Sequence, residues 1–407
     1  MRLSQETVPQ RVISPLIQRF SLSPLATRTM LKTLDLRATD DPRDIVHRSV
    51  QALVEGQVVG LPTDTVYGLA ADALSSTAVE ELCKIKGRRD DVPLAISVGS
   101  REAAEDFFCQ ATPLVRRLSH RCWPGPLTLV VSCESPSSAV TQLPQKVQKR
   151  ITGDFGCVGF RVVDHRVLTH IHRFLSGPLV LTSANLSGHP NPTTAQAVTE
   201  QLGDSLPLLL DDGPTRYGGA STVARVKGNR LEILREGAIE RAAMNQFVKP
   251  VIAVVCTGNT CRSPMAETLL RERLREKLGS EDAVRVLSAG VAAGVGSGAS
   301  PQAVEVMGLR NLDLTGHSSR PLDDAVMNVA DLILTMTRGH RAAILAAWPN
   351  MHDRVHTLRR DGGDITDPVG MPVEVYESCS EQIDQELAAW LDALDNDFFP
   401  VTTSNEE

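Results

Sequence analysis

The stretch VVCTGNTCRSPMAE, Val254–Glu267, has the composition of a loop that seizes phosphate, and it stands almost two-thirds of the way along the chain. Just before it, PVIAVV (Pro250–Val255) is a short apolar run rich in β-branched residues, the pattern of a buried strand. Beyond it, Met265, Leu269, Leu270 and Leu274 recur at helical spacing, and Pro264 suits the first position of that helix. Cys256 is therefore predicted in a strand–loop–helix turn at the carboxyl end of a strand, where open α/β sheets bind ligands. The seven residues Cys256–Arg262 can curl so that the N–H groups of Thr257, Gly258, Asn259, Thr260 and Cys261 point inward as an anion nest. The helix N-terminus adds positive potential, which also favours the thiolate, a nucleophile at neutral pH. Arg262 can hold two phosphoryl oxygens at once. Gly258 permits close backbone approach, Asn259 can pin the loop in an unusual conformation, and Ser263 can hydrogen-bond the sulfur and ease its departure.

From that loop onward the chain alternates. Strands are predicted at 251–256, 284–288, 330–336 and 354–358, and helices at 264–278, 301–309, 338–347 and 373–394. The last helix places Ile383, Leu387, Trp390, Leu391 and Leu394 on one face. The pattern is that of a doubly wound, four-stranded parallel sheet. A leaving group needs a proton. TDPVG (Thr366–Gly370), after the fourth strand and before the last helix, supplies Asp367 on a loop stiffened by Pro368, and Asp367 is the candidate acid.

CTGNTCRSPMAE, SAG at Ser288–Gly290, ADLILTMT at Ala330–Thr337 and the pair Asp367–Pro368 together resemble the low-molecular-weight protein tyrosine phosphatase family, over about 250–398. The resemblance implies that Cys256 forms a phosphocysteine, that Arg262 binds phosphate and that Asp367 is the general acid, with a phosphorylated protein as substrate and no metal or other cofactor. It also implies that Cys261 can form a protective disulfide with Cys256. Thr260 resembles the residue of the bacterial protein-arginine-phosphatase branch. Val369, however, follows Asp-Pro where an aromatic is common in both branches, and Ala292 and Ala293 lie where tyrosine-specific members tend to place an aromatic wall. Phosphoarginine is the expected substrate ahead of phosphotyrosine, with arsenate reduction third and a redox-sensing or regulatory module as the alternative role.

The first part of the chain carries a different chemistry. VVGLPTDTVYGLAADAL (Val58–Leu74) begins as a strand, breaks at Pro62 and continues into the polar cluster Thr63, Asp64, Thr65 and Tyr67. Thr77-x-x-Glu80 reads as a capping box opening a helix through Val79, Leu82 and Ile85. That helix ends in KGRRDD, where a glycine lets Lys86 and Arg88 converge. LTSANLSG (Leu181–Gly188) offers Ser183 and Asn185, DDGPTRYGGASTVARV (Asp211–Val226) offers Ser221 and Thr222, and ILREGAI (Ile233–Ile239) carries Arg235. Cationic residues with Ser, Thr and Asn on loops suit a triphosphate and a small polar co-substrate, without a Walker or Rossmann glycine motif.

In this order, with WPGPLTLV (Trp123–Val130) and GFRVVDH (Gly159–His165), the clusters resemble the YrdC-type threonylcarbamoyl-AMP synthase family over roughly 40–240. The resemblance implies a twisted mixed-sheet α/β domain and a reaction of L-threonine, bicarbonate and ATP, with Mg2+ accompanying the ATP. The adenylate produced would serve proteins that transfer threonylcarbamoyl to tRNA. Lys86, Arg88, Ser183, Asn185 and Arg235 would hold ATP, and Thr63, Arg161 and Ser221 would bind threonine. Arg89, Ser97 and Val163 depart from residues common in that family (proline, histidine and proline respectively). The non-catalytic alternative is a module that only binds nucleotide or RNA.

Bulk properties fit two enzymes in one chain. The 407 residues suffice for two or three domains. At 42% hydrophobic and 22% charged, the composition favours globular domains over disorder. No run reaches the length of a membrane span. Eight cysteines without paired spacing, apart from Cys256 and Cys261, suit a reducing compartment, and a cytoplasmic location is expected. A net charge of −7 lacks the basic excess of a tight nucleic-acid binder. The expected boundaries are an N-terminal extension at 1–30, disordered or preceding a true start at Met30, then a first domain at 31–240, a linker at 241–249, a second domain at 250–398 and a tail at 399–407.

Overall fold

The strands sort into two sheets. The structure, a computed structural model, describes residues 31–39, 41–108, 111–394 and 396–399. The expected extension at 1–30 and positions 400–407 of the tail lie outside them. The first sheet is mixed and holds β1 (Lys32–Asp35), β2 (Val59–Leu61), β3 (Gly68–Asp72), β4 (Ala95–Ser97), β5 (Leu127–Ser132), β6 (Cys157–Arg161), β7 (Leu179–Ser183), β8 (Leu208–Asp211), β9 (Thr222–Lys227) and β10 (Arg230–Arg235). Its order is β1-β8-β2-β3-β7-β4-β6-β5-β9-β10. The second holds β11 (Val251–Cys256), β12 (Arg285–Gly290), β13 (Leu332–Thr335) and β14 (Val355–Thr357), all parallel, in the order β12-β11-β13-β14.

Both sheets are covered on two faces, which is why their central strands read as unbroken apolar runs. In β11, Ile252, Val254 and Cys256 join one core with Met265, Leu269 and Leu270, while Ala253 and Val255 join the opposite core with Ile333 and Ile344. Side chains alternate along a strand, so a six-residue strand with all six buried must sit between two layers of helices. The first sheet behaves likewise, with Leu69, Ile96, Leu129 and Phe160 on one side and Leu61, Ala70 and Leu179 on the other.

Local signals place most helix boundaries. The Val373–Ala393 helix buries Ile383, Leu387 and Leu391 on the face that periodicity selected. Two local expectations are corrected. The Ser76–Lys86 helix is capped by Ser75, whose hydroxyl accepts the Ala78 N–H at 3.2 Å, so Thr77 lies in the first turn and makes no capping box. The Arg262–Leu278 helix starts at Arg262, which puts Pro264 third rather than first; N–H groups in the first turn have no intrahelical partner, so proline costs little there. β12 runs on to Gly290 because Ala289 and Gly290 pair with Val255 and Cys256. The joining segment is a helix, Arg241–Val248, whose Met244 and Val248 lie in the core of the first domain. No helix of the described residues is long and apolar enough to cross a membrane.

Candidate active sites

Cys256 ends the central strand β11, and the loop after it turns directly into the Arg262–Leu278 helix. The turn is held by Asn259, fully buried and in the left-handed region at φ 54°. Every polar group of Asn259 is used: its Nδ2 donates to Ser263 Oγ (3.0 Å) and Ser288 Oγ (2.9 Å), its Oδ1 accepts the Arg320 N–H (2.9 Å), and its carbonyl meets His317 Nε2 at 2.7 Å. A left-handed asparagine costs strain, and these contacts hold it there. Its own N–H points at Cys256 Sγ, 3.3 Å away, and Ser263 Oγ lies 3.0 Å from the same sulfur. A backbone N–H and a hydroxyl thus converge on the nucleophile.

Arg262 is buried on the floor of the loop, donating to the Ile365 carbonyl (3.2 Å) and to Asp367 Oδ2. The other oxygen of Asp367 accepts the Val369 N–H at 3.2 Å. The structure therefore brings Cys256, Arg262, Ser263 and Asp367 to one site from segments more than 100 residues apart. Cys261 faces Tyr376 Oη at 3.4 Å, and Thr260 Oγ1 faces Cys261 Sγ at 3.7 Å. Sequence reading missed two supports. Thr257 Oγ1 lies 2.8 Å from Nε2 of His340, a histidine that burial and the Arg262 charge hold below its ordinary protonation range. Gly290 is the position where the site demands glycine, because a Cβ there would stand 2.4 Å from the Thr257 carbonyl and 2.9 Å from the Asn259 nitrogen. At Gly258, by contrast, a Cβ would meet only Thr260 Oγ1 at 3.6 Å, so protein atoms do not require glycine there. The SAG triplet was the available signal for Gly290.

In the first domain a cavity of about 370 Å³ opens over the sheet. Its wall includes Thr63, Arg88, Arg161, Ser183, Ser221 and Arg235, six of the eight predicted ligand residues. The other two, Lys86 and Asn185, stand behind the wall. Buried Lys86 donates to the Ser183 carbonyl (2.7 Å), Ser183 Oγ (3.1 Å), the Asn185 carbonyl (3.1 Å) and Asn185 Oδ1 (2.9 Å). Its donors are spent on shaping the Ser183–Asn185 turn. Burial, then the Arg88 charge, lowers its pKa to about 8.

Arg161 is anchored by the buried Asp64 carboxylate at 2.6 Å, by Thr65 Oγ1 at 2.8 Å and by the Gly125 carbonyl at 3.2 Å. Burial pushes Asp64 up and Arg161 down even though they are paired, and Asp64 Oδ2 has no hydrogen-bond partner. Arg235 donates to the Ser221 carbonyl at 2.7 Å, and Ser221 Oγ lies 2.9 Å from Thr128 Oγ1. Arg88 reaches Thr182 Oγ1 at 3.3 Å and the Pro93 carbonyl at 2.6 Å. Thr182, Thr128 and Arg225, which lie inside the quoted motifs but are not singled out by them, and Asp154 also line the cavity; strand pairing brings the first three together. A wall with four arginines and Asp154 as its carboxylate fits a polyanion.

Two family models match the chain: Sua5/YciO/YrdC, described as telomere recombination, over residues 51–237, and low molecular weight phosphotyrosine protein phosphatase over residues 251–399. A putative threonylcarbamoyl-AMP synthase of Mycobacterium tuberculosis is 35% identical over 210 residues, 52% of this chain and 92% of that one. A protein-arginine-phosphatase of Bacillus subtilis is 39% identical over 140 residues, 33% of this chain and 91% of that one. The chain belongs to both families. It is a fusion of a threonylcarbamoyl-AMP synthase domain with a low-molecular-weight phosphatase domain, and both folds are those expected from the motifs. The threonylcarbamoyl-AMP synthase of Bacillus subtilis is 32% identical over 224 residues, 55% of this chain but only 62% of the relative's length.

Proposed function

We propose that this chain is a bifunctional enzyme that makes L-threonylcarbamoyl-AMP in its first domain and dephosphorylates phosphoarginine on proteins in its second. The observation that carries the first activity is the convergence of six predicted residues on one cationic cavity. The amine of L-threonine and bicarbonate give a carbamate with loss of water; a carbamate oxygen attacks the α-phosphorus of ATP, and the bond to pyrophosphate breaks. Arg88, Ser183 and Arg235 bind the triphosphate, which arrives with its Mg2+ as part of the substrate. Thr63, Arg161 and Ser221 hold L-threonine, and Lys86 with Asn185 shapes the turn that presents Ser183. Catalysis here is positioning and charge neutralisation. The adenylate passes to tRNA-modifying proteins, and the enzyme works in the cytoplasm. The test is pyrophosphate release by the full chain: it should require ATP, L-threonine and bicarbonate together, and release independent of L-threonine would end this reading.

In the second domain the Cys256 thiolate attacks phosphorus, the P–N bond breaks and the departing guanidine nitrogen takes a proton from Asp367. Water then attacks the phosphocysteine, Asp367 takes its proton, and phosphate and thiolate are released, with Ser263 stabilising the departing sulfur. The Bacillus subtilis relative's name and Thr260 support phosphoarginine, and Ala292 and Ala293, where tyrosine-specific members tend to place an aromatic wall, argue against phosphotyrosine. Phosphate release from phosphoarginine and phosphotyrosine peptides, with Cys256→Ser as control, decides between them. Faster hydrolysis of phosphotyrosine would make Thr260 a plain loop residue.

A further inference from the structure

The helix Pro113–Cys122 of the synthase domain carries two arginines that a solitary domain would have no reason to bury. The side chains of Arg117 and Arg121 are only 1% and 6% exposed. Both converge on one carboxylate oxygen of the phosphatase domain, Asp331 Oδ2, at 3.1 and 2.7 Å. The same oxygen accepts the N–H of Val251, the first residue of β11, at 2.7 Å. Arg117 donates further to the Val248 carbonyl (2.9 Å) and, across the boundary, to the Phe398 carbonyl (3.0 Å), with its guanidinium 5.5 Å over the Phe398 ring. Arg121 donates to Phe247 and Lys249 on the joining segment and to Val329 in the phosphatase domain, at 2.7–2.8 Å. A separate contact runs from Asn229 Nδ2 to the Phe399 carbonyl at 3.1 Å.

Among the described residues Asp331 is the carboxylate paired with both buried cations, and losing that charge while the interface stays closed would be strongly unfavourable. Both ends of the contact are also built into site-bearing elements. The arginine helix leads into Gly125, whose carbonyl holds Arg161. Asp331 immediately precedes β13, which pairs with β11, the strand that ends in Cys256.

We propose that Asp331, Arg117 and Arg121 form a clasp that makes the two domains unfold as one unit, so that ligands filling the synthase cavity protect the phosphatase from unfolding. The thermodynamics require no movement of either site. A ligand that binds only the folded state stabilises everything that unfolds together with its site. Domains joined by a flexible tether would not share that protection. The number of working phosphatase molecules then follows the supply of ATP and L-threonine. The choice of those ligands rests on the synthase reading above; the clasp itself does not.

The test is pulse proteolysis of the full-length protein along a urea series, with peptides from each domain quantified by mass spectrometry. In the wild type the two domains should share one midpoint, and a non-hydrolysable ATP analogue with L-threonine should shift both together. Asp331→Asn keeps an acceptor for Val251 but removes the charge; the midpoints should separate, and the ligands should then shift the synthase peptides alone. Arg121→Lys, which keeps the charge and loses the forked bonds, should give a smaller separation and serves if the first variant does not fold. Two midpoints in the wild type, or a shared midpoint that persists in both variants, would overturn the clasp. A shared wild-type midpoint that the ligands do not move would leave the clasp standing and overturn the synthase reading instead.

Discussion

Single residues carry each reaction, and the sharpest predictions lie at their scale. Cys256→Ser removes the nucleophile and should abolish dephosphorylation while leaving ATP-dependent pyrophosphate release intact, because the two sites sit on separate sheets. Lys86→Ala should do the reverse: the Ser183–Asn185 turn loses the donor that holds four of its oxygens, while the phosphatase is untouched. Loss of both activities in either variant while it remains folded, read by paired assays on one preparation, would contradict the division. Gly290→Ala tests a residue that acts through the space it leaves free. Its methyl would press on the Thr257 carbonyl and Asn259 nitrogen and displace the nest, and misplacement by about 1 Å costs roughly 100-fold in rate. Phosphatase kcat/KM should fall by about that factor while pyrophosphate release by the first domain is unchanged; near-normal phosphatase turnover would show that the loop tolerates the push.

At the scale of elements, packing sets stability and its pH dependence. The helix Arg166–Phe174 docks on the first sheet, and its His172 Nε2 lies 3.0 Å from Ser97 Oγ on β4. Burial lowers the His172 pKa from 6.5 to about 4. The folded chain therefore keeps this ring neutral while the unfolded chain takes up a proton as pH falls below 6.5. Stability should drop between pH 6.5 and 4 and be unaffected above, by up to about 3 kcal/mol at roughly 1.4 kcal/mol per pH unit. His172→Gln can still bond Ser97 but does not titrate, so urea midpoints measured at neutral and acid pH should diverge less in that variant. An equal acid loss in both proteins would assign it to other groups. Ser97, a departure from the family's usual residue, is the hydroxyl partner of this half-buried histidine.

At the scale of the molecule, the chain is two sheets locked by an ion cluster, and the synthase domain cut at residue 249 should be less stable than the same domain within the full chain. Its Arg117 and Arg121 lose Asp331, and the lower unfolding midpoint should be visible by circular dichroism; an unchanged midpoint would mean that water replaces the clasp at no cost. What the sequence determined by itself was local. The strand, loop and helix around Cys256 could be read because their periods, their proline and the spacing from Cys256 to Arg262 are all written within about 25 contiguous residues. The parallel second sheet followed from the same alternation, and the capping error at Thr77 was a contest between neighbouring hydroxyls that local pattern does not resolve. The tertiary structure decided what contiguity cannot hold. Strand order put Thr128, Thr182 and Arg225 on the wall of the cavity. Burial turned Lys86 and Asn185 toward each other instead of the ligand space. The clasp joins Arg117 to a carboxylate 214 residues away, and nothing in either segment alone distinguishes a buried interdomain pair from two solvated surface charges; only the fold removes the water that makes the difference.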